Sequence, residues 1–573
     1  MKIHFTKPLF YALLLTFSFS CKTNTKSKLK TEVTPVTGLI TQKAMVVSAR
    51  EEASKIGADI LKKGGNAFDA MVGTEMALAV TYPFAGSLGG GGFMVYRKVN
   101  GEVGAIDFRE KAPLAATKDM YLDENGNPIP EKSQLGAMAI GVPGTIAGIF
   151  AVHKKLGSLP IEDILNPVVA LANKGFVITE KQKKRFDQYK ELFLEVNQDT
   201  ILFAKNYKAG DTLKNEKLAE TLKRIIKNGA SEFYTGETGR KLVERIQSKG
   251  GIITMEDLSK YEVKWRNPVR FEYKGLSVIS MSPPSSGGVC LAQIMKMIEP
   301  YDLKQYGHNS LKTIQVITEA ERRAYADRGF YLGDPDFVNI PLDTLISKEY
   351  LSYRMRDFSF DKATLSSDIN CGMISGYESD ETTHYSIVDS FGNAISATIT
   401  LNGAYGSKLY VPEIGTFLNN EMDDFSAKPG TPNMFGLIGA EANAIAPEKR
   451  MLSSMTPTIV EKDGKLWMSV GTPGGSTIIT SVLQTILNVK EFGMTMQDAV
   501  NAPRFHHQWL PDVVVFEPES FSTSLIDSLK QKGYKINQET SKIIGIVDGI
   551  LVLPDGRLEG GADKRGDDTA IGF

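Results

Sequence analysis

Hydrophobic and polar positions change period several times along this chain. Near the N-terminal side, short apolar runs alternate with helical ones. Ala44 to Ser48 reads as a strand, and Ala53 to Lys63 as a helix stopped by Gly64-Gly65. Asn66 can cap a second helix, Ala67 to Val80, and Phe93 to Arg97 and Val103 to Phe108 read as strands. Between residues 140 and 350 the helical period dominates: Gly144 to Lys155, Ile161 to Lys174, Glu216 to Lys227, Thr238 to Lys249, Val289 to Ile298 and Leu311 to Arg328. Residues 360–381 are polar and without period. Strand-like alternation then returns at 383–389, 394–401, 456–462 and 465–471, followed by a helix, Ser476 to Val489, and a last strand-like run, Ile543 to Val552. Strands flanked by long helices predict a layered α/β sandwich.

Composition narrows the class. The chain has 573 residues, 42% hydrophobic and 23% charged, with a formal net charge of −1. That is enough for a large core, and the charge balance argues against a nucleic-acid partner. No run of 18 apolar residues occurs, so no spanning helix is expected. The first 21 residues form a basic, then apolar, then small-residue leader ending at Cys21, the pattern of a signal peptide. A cysteine there, followed by a polar tether over residues 22–42, is similar to a bacterial lipoprotein, although Ser18 stands where such leaders carry an aliphatic residue. An acylated Cys21 would hold an exported, periplasmic protein at a membrane surface without spanning it. Cys290 and Cys371 are then left as free thiols.

The candidate chemistry centres on Glu381-Thr382-Thr383-His384-Tyr385-Ser386, where a strand follows a polar segment. A threonine heading a strand is ordinary, and on this stretch alone pairing and packing explain it better than catalysis. It becomes a nucleophile if the bond before it is cut, because the new α-amine, titrating near 7.7–8.0, is a general base on the same residue. Four later features could serve such a nucleophile. Thr400-Leu401-Asn402 ends a strand with Thr400 and Asn402 on one face; Glu421 to Asp424 is an acidic loop; Ser453-Ser454 precedes a strand; and Gly471 to Ser476 is a strand-turn-helix whose N–H groups could stabilise an oxyanion. Each also has a bland reading as turn or loop chemistry. Arg109, at a strand end, either pairs with Asp107 or Glu110 at the surface or grips a carboxylate. The Gly89 to Gly92 run lacks the lysine of a phosphate loop and precedes a strand, so close backbone approach explains it best. No Gly-x-Ser-x-Gly elbow or His-Glu-x-x-His motif is present.

Taken together, the stretches Gly65 to Ala70, Leu88 to Met94, Asp107 to Glu110, Pro283 to Gly288, Tyr331 to Phe337, Thr382 to Ser386, Asn420 to Ser426, Leu452 to Met455 and Ala502 to His507 resemble the γ-glutamyltranspeptidases (glutathione hydrolases). The likeness runs from about residue 44 to Phe573. It implies an αββα four-layer sandwich of the N-terminal-nucleophile hydrolase type, cut at Glu381–Thr382 into a large chain, 43–381, and a small chain, 382–573, that remain together as a heterodimer. It implies that Thr382 attacks the γ-amide of glutathione or another γ-glutamyl compound, with Thr400 holding its hydroxyl and Gly474 and Gly475 donating to the oxyanion. Water, an amino acid or a dipeptide then takes the glutamyl group. Arg109, Ser453 and Ser454 match ligands of the substrate α-carboxylate; Asn402, Glu421 and Asp424 match ligands of the α-ammonium. No cofactor or metal is implied. Phe435 stands in the lid, Lys428 to Arg450, where several bacterial relatives carry Tyr, so lid closure is expected to rest on packing alone. The alternatives are a related glutaryl or cephalosporin acylase, and an uncleaved, non-catalytic surface lipoprotein. The ammonium-binding set disfavours the first, and intact Thr382 and Thr400 the second.

Overall fold

The computed structural model describes Met1 and residues 35–369, 382–538 and 543–573. Cys21, Cys371 and the proposed scissile residue Glu381 lie outside the described residues. Residues 36–573 form one compact unit.

Two seven-stranded antiparallel sheets stack at its centre. In spatial order the front sheet runs Thr569–Gly572, Met45–Ser48, Thr383–Val388, Ala394–Thr400, Gly91–Arg97, Val103–Asp107 and Lys264–Arg266. The back sheet runs Leu39–Thr41, Leu558–Ala562, Asp548–Val552, Lys465–Gly471, Thr458–Lys462, Leu276–Ser280 and Val269–Tyr273. Alternation along each strand sorts side chains between layers. Phe93 and Val95 join Val47, Ile279, Ile459 and Ile550 in the core between the sheets. Met94 and Tyr96 point the other way, into a core with the helices Glu51–Lys62, Ala67–Thr81, Thr145–Leu156 and Ile161–Lys174. The helices Gly287–Ile298, Leu311–Tyr331 and Thr477–Lys490 cover the back sheet. The result is the expected αββα sandwich.

The predicted elements recur with shifts of a few residues. Asn66 caps its helix by accepting from the N–H groups of Phe68 and Asp69, and Asp69 returns a bond to the Asn66 N–H. The polar tether is shorter than 22–42. Leu39–Thr41 adds an edge strand paired with Leu558–Ala562, and a run of three residues is too short to show a period. The long helix Glu180–Asn197 was not foreseen. Its buried positions, including Phe186 and Phe193, are diluted by lysines and other charged residues on its remaining faces. The glycine run does bring backbones together: a Cβ on Gly90 would lie 2.1 Å from the Thr400 carbonyl oxygen, and one on Gly92 2.6 Å from that of Thr398.

Candidate active site

Thr382 is the residue immediately before the strand Thr383–Val388, at the centre of the front sheet. It shares the parity of His384 and Ser386, whose side chains lie between the sheets. Thr383 has the opposite parity. The structure thus separates the two threonines: Thr382 lines a pocket, while the Thr383 hydroxyl is buried with no hydrogen-bond partner among the described residues. His384 is not a catalytic base. Its ring contacts the hydroxyls of Thr398 (2.9 Å) and Ser386 (3.1 Å), and burial pushes its pKa down to about 3.

The back sheet supplies the groups facing the Thr382 hydroxyl. Strand Lys465–Gly471 ends, the chain turns through Thr472 to Ser476, and the helix Thr477–Lys490 begins. Gly474 and Gly475 both have positive φ, 136° and 49°, conformations that a side chain would strain. In that turn the Gly474 N–H donates to Thr382 Oγ1 at 3.0 Å. An N–H aimed at a hydroxyl in this way could stabilise charge developing beside it if that hydroxyl attacked a carbonyl.

Every residue assigned to the glutamyl group lines the same pocket as Thr382: Arg109, Asn402, Glu421, Asp424, Ser453 and Ser454, with Thr400, Phe435 and Gly475. Arg109 is not a surface residue. It is buried, and its guanidinium pairs with Glu421 and Asp424 on the short turn Glu421–Asp424. Its backbone is braced as well, its N–H donating to Asp107 (3.0 Å) and its carbonyl accepting from Tyr261 (2.7 Å). The cationic and anionic side chains of the pocket therefore neutralise each other across the cavity. Burial raises the Glu421 and Asp424 carboxyls above their ordinary range even with Arg109 beside them.

Two details differ from the sequence reading. The strand ends at Thr400, and Asn402 reaches the pocket through a left-handed conformation (φ 68°) rather than by strand alternation. Its N–H donates to Thr400 Oγ1 at 2.7 Å, and no hydrogen bond joins Thr400 to Thr382 in this state. The lid also closes by more than packing. Phe435 is buried and offers no hydroxyl, but its neighbours form a polar latch. Asn433 accepts from the N–H groups of Phe435 (3.0 Å) and Leu437 (3.1 Å) and donates to Asp424 (3.1 Å). Asp423 accepts from the Met434 N–H (2.8 Å), and Gln508 donates to the Phe435 carbonyl (3.3 Å). The Asn402 amide contacts Met434 Sδ at 3.6 Å. A polar latch built from backbone groups has no signature in the identity of residue 435.

Two residues of the site were missed. Arg328, on the helix Leu311–Tyr331, donates to Ser454 Oγ (3.1 Å) and Ser286 Oγ (2.9 Å), which fixes the serine loop. Ser286 in turn binds the Ser453 carbonyl through both its N–H (2.8 Å) and its hydroxyl (2.7 Å), explaining the Pro283 to Gly288 motif. Glu110 lies fully buried beside Arg109 and Glu421; both its oxygens lack hydrogen-bond partners among the described residues, and burial pushes its pKa up to about 8 against the pull of Arg109. A carboxyl next to an arginine in sequence reads as a surface pair, which hid it.

The two-sheet sandwich, with Thr382 at the head of a central strand and the Gly474 N–H on its hydroxyl, is the architecture of an N-terminal-nucleophile hydrolase. Residues 53–573 match the family described as Gamma-glutamyltranspeptidase, and the chain belongs to that family. The glutathione hydrolase proenzyme of Escherichia coli (strain K12) is 46% identical over 537 residues, 93% of this chain and 92% of that protein. Among solved structures, the γ-glutamyltranspeptidase of Helicobacter pylori is 42% identical, with a TM-score of 0.56 over 60% of this chain and 98% of that one. A cephalosporin acylase from Bacillus halodurans shares the fold, with a TM-score of 0.83 over 94% of this chain and 97% of that one at 24% identity.

Proposed function

We propose that this protein is a γ-glutamyltransferase and glutathione hydrolase that matures by cutting its own Glu381–Thr382 bond. The observation that carries the reading is the shared pocket. A nucleophile with an oxyanion donor at 3.0 Å opens onto a buried arginine, two serines, an asparagine and two carboxylates, the set that a zwitterionic glutamyl head requires.

In maturation the Thr382 hydroxyl adds to the Glu381 carbonyl, the C–N bond breaks, and water hydrolyses the ester. The freed α-amine then serves Thr382 as base. In turnover the amine takes the hydroxyl proton as Oγ1 bonds to the γ-carbonyl carbon. Gly474 and Gly475 hold the oxyanion, the proton passes to the departing amine nitrogen, and a γ-glutamyl ester remains. The Thr400 hydroxyl, which accepts from Asn402, keeps its own proton to donate towards Thr382. Arg109, Ser453 and Ser454 take the substrate α-carboxylate; Asn402, Glu421 and Asp424 take the α-ammonium. Substrate thereby exchanges one set of ion pairs for another within the same pocket. Water or an amino-acid or dipeptide amine completes the cycle, and the two chains act as one heterodimer. We further propose export to the periplasm with a lipid on Cys21; the leader and tether composition supports this reading.

Purified protein should release glutamate from glutathione, and Thr382→Ala should release none. Cleavage of glutaryl amides at rates matching γ-glutamyl amides would instead favour the acylase reading, because a glutaryl group has no ammonium for Asn402, Glu421 and Asp424 to bind.

A further inference from the structure

Thr382 lines two cavities. One is the glutamyl pocket, which Gly475 also lines; the other is a cleft of about 500 Å³ lined by Pro473 and Gly474. Four cations line this second cleft, Lys181, Lys184, Arg185 and Arg565, and among the described residues no acidic side chain does. Lys181, Lys184 and Arg185 come from the first turns of the helix Glu180–Asn197. The cations differ in how far they are neutralised. Arg565 is held by Glu517 and Asp563, and Lys181 lies 3.7 Å from Asp567. Lys184 is exposed and has no ion-pair partner among the described residues. The Arg185 guanidinium stacks 3.9 Å from the Phe84 ring centre and donates to the Tyr82 hydroxyl at 2.8 Å, so it is held in place. Lysines on an exposed helix face are commonplace. Four cations around a cleft that ends at the nucleophile are not explained by solubility.

Resting on the γ-glutamyl reading, we propose that this cleft receives the amine side of the reaction, and that Lys184 and Arg185 select amines carrying a carboxylate, such as dipeptides and acidic amino acids. The glutamyl carbonyl is fixed between Thr382 and the oxyanion donors, so the departing amine must leave on the side away from the glutamyl pocket. An acceptor attacks the ester along the same path in reverse. Its nitrogen bonds to the acyl carbon, the C–O bond to Thr382 breaks, and the amine proton returns to Oγ1 through the α-amine. A cationic wall acts twice here. It binds the remote carboxylate, and it lowers the pKa of an ammonium entering the cleft, raising the fraction of neutral, nucleophilic amine.

The test compares two donors sharing the glutamyl group but differing in the leaving amine: glutathione, whose leaving dipeptide bears a carboxylate, and a γ-glutamyl anilide, whose leaving amine bears none. The readout is the ratio of kcat/KM for glutathione to that for the anilide, measured on self-cleaved enzyme. Lys184→Glu and the double variant Lys184→Glu/Arg185→Gln should lower that ratio, by about fivefold for the single charge reversal, because an exposed attraction is lost and a repulsion takes its place. Lys184→Arg should retain the ratio. Raising ionic strength should lower it in wild type and less in Lys184→Glu. A ratio unchanged to within about twofold in the double variant would overturn the proposal, whereas wild-type enzyme inactive on both donors would overturn the γ-glutamyl reading itself.

Discussion

Glu421 sits between an arginine and a second buried carboxyl, and its replacement tests the charge logic of the pocket. Glu421→Gln removes one partner of Arg109 and, on the proposed function, one acidic group facing the substrate ammonium. The expected result is a KM for glutathione raised about tenfold or more, consistent with loss of a buried charged hydrogen bond, with self-cleavage retained. An unchanged KM would show that Asp424 and Asn402 suffice. Gly474→Ala asks a geometric question. Its φ of 136° and the 2.5 Å approach of a Cβ to Thr477 Oγ1 force the turn to move. Displacing one oxyanion donor should lower kcat about 100-fold with KM little changed; steady-state kinetics on cleaved enzyme would separate the two constants.

Buried histidines predict how the protein responds to acid. His384 and His507 have pKa values pushed down to about 3 by burial, below the ordinary value near 6.5. The unfolded chain therefore takes up protons that the folded chain refuses. Stability is lost as pH falls from about 6.5 towards 3, by up to about 1.4 kcal/mol per pH unit per histidine. Buried carboxyls with raised pKa, such as Glu75, act in the opposite sense over a higher range. A difference measurement isolates the histidine: His384→Gln should raise the urea midpoint at pH 5 relative to that at pH 7.5 compared with wild type, and an identical difference would refute the assignment.

At the scale of elements, the lid and the turn at Gly474 show what a sequence conceals. The polar latch rests on Asn433, which satisfies two backbone N–H groups and steadies Asp424. Asn433→Ala should cost about 1–3 kcal/mol of lid closure. It should raise KM for glutathione and speed proteolysis within residues 428–450; protection equal to wild type would mean that burial of Phe435 holds the lid unaided. The central strands of the front sheet and the longer helices were legible, because strand alternation and helix caps are local; the back-sheet strands Val269–Tyr273, Leu276–Ser280 and Leu558–Ala562 and the edge strands Leu39–Thr41, Lys264–Arg266 and Thr569–Gly572 were not, being short or interrupted by turns. Thr382, Arg109 and the acidic turn were identified by motif, yet motif could not show that Arg109 would be buried against Glu421 and Asp424. Arg328 and Glu110 were missed for a related reason. Arg328 binds Ser454, more than a hundred residues away, and Glu110 is buried beside Glu421, equally remote in sequence, and no local pattern records either juxtaposition. Asn402 shows the limit of periodicity itself: a single left-handed residue after a strand re-aims a side chain that alternation would have placed elsewhere.

The whole molecule depends on both sides of the proposed cut. In the front sheet, Thr383–Val388 and Ala394–Thr400 lie between Met45–Ser48 and Gly91–Arg97, and the C-terminal Thr569–Gly572 pairs with Met45–Ser48. The back sheet is likewise shared, Thr458–Lys462 pairing with Leu276–Ser280. Fragments so interleaved cannot part without dismantling both sheets. The cleaved enzyme should elute as one species and unfold in one transition, the chains separating only in denaturant; dissociation in native buffer would contradict the shared-sheet architecture. The most direct test of the central claim is intact mass with N-terminal sequencing of purified wild type beside Thr382→Ala. Two fragments in the wild type, the smaller beginning at Thr382, and one uncut chain in the variant are the predicted result. An uncut wild-type chain, or a fragment beginning elsewhere, would contradict it.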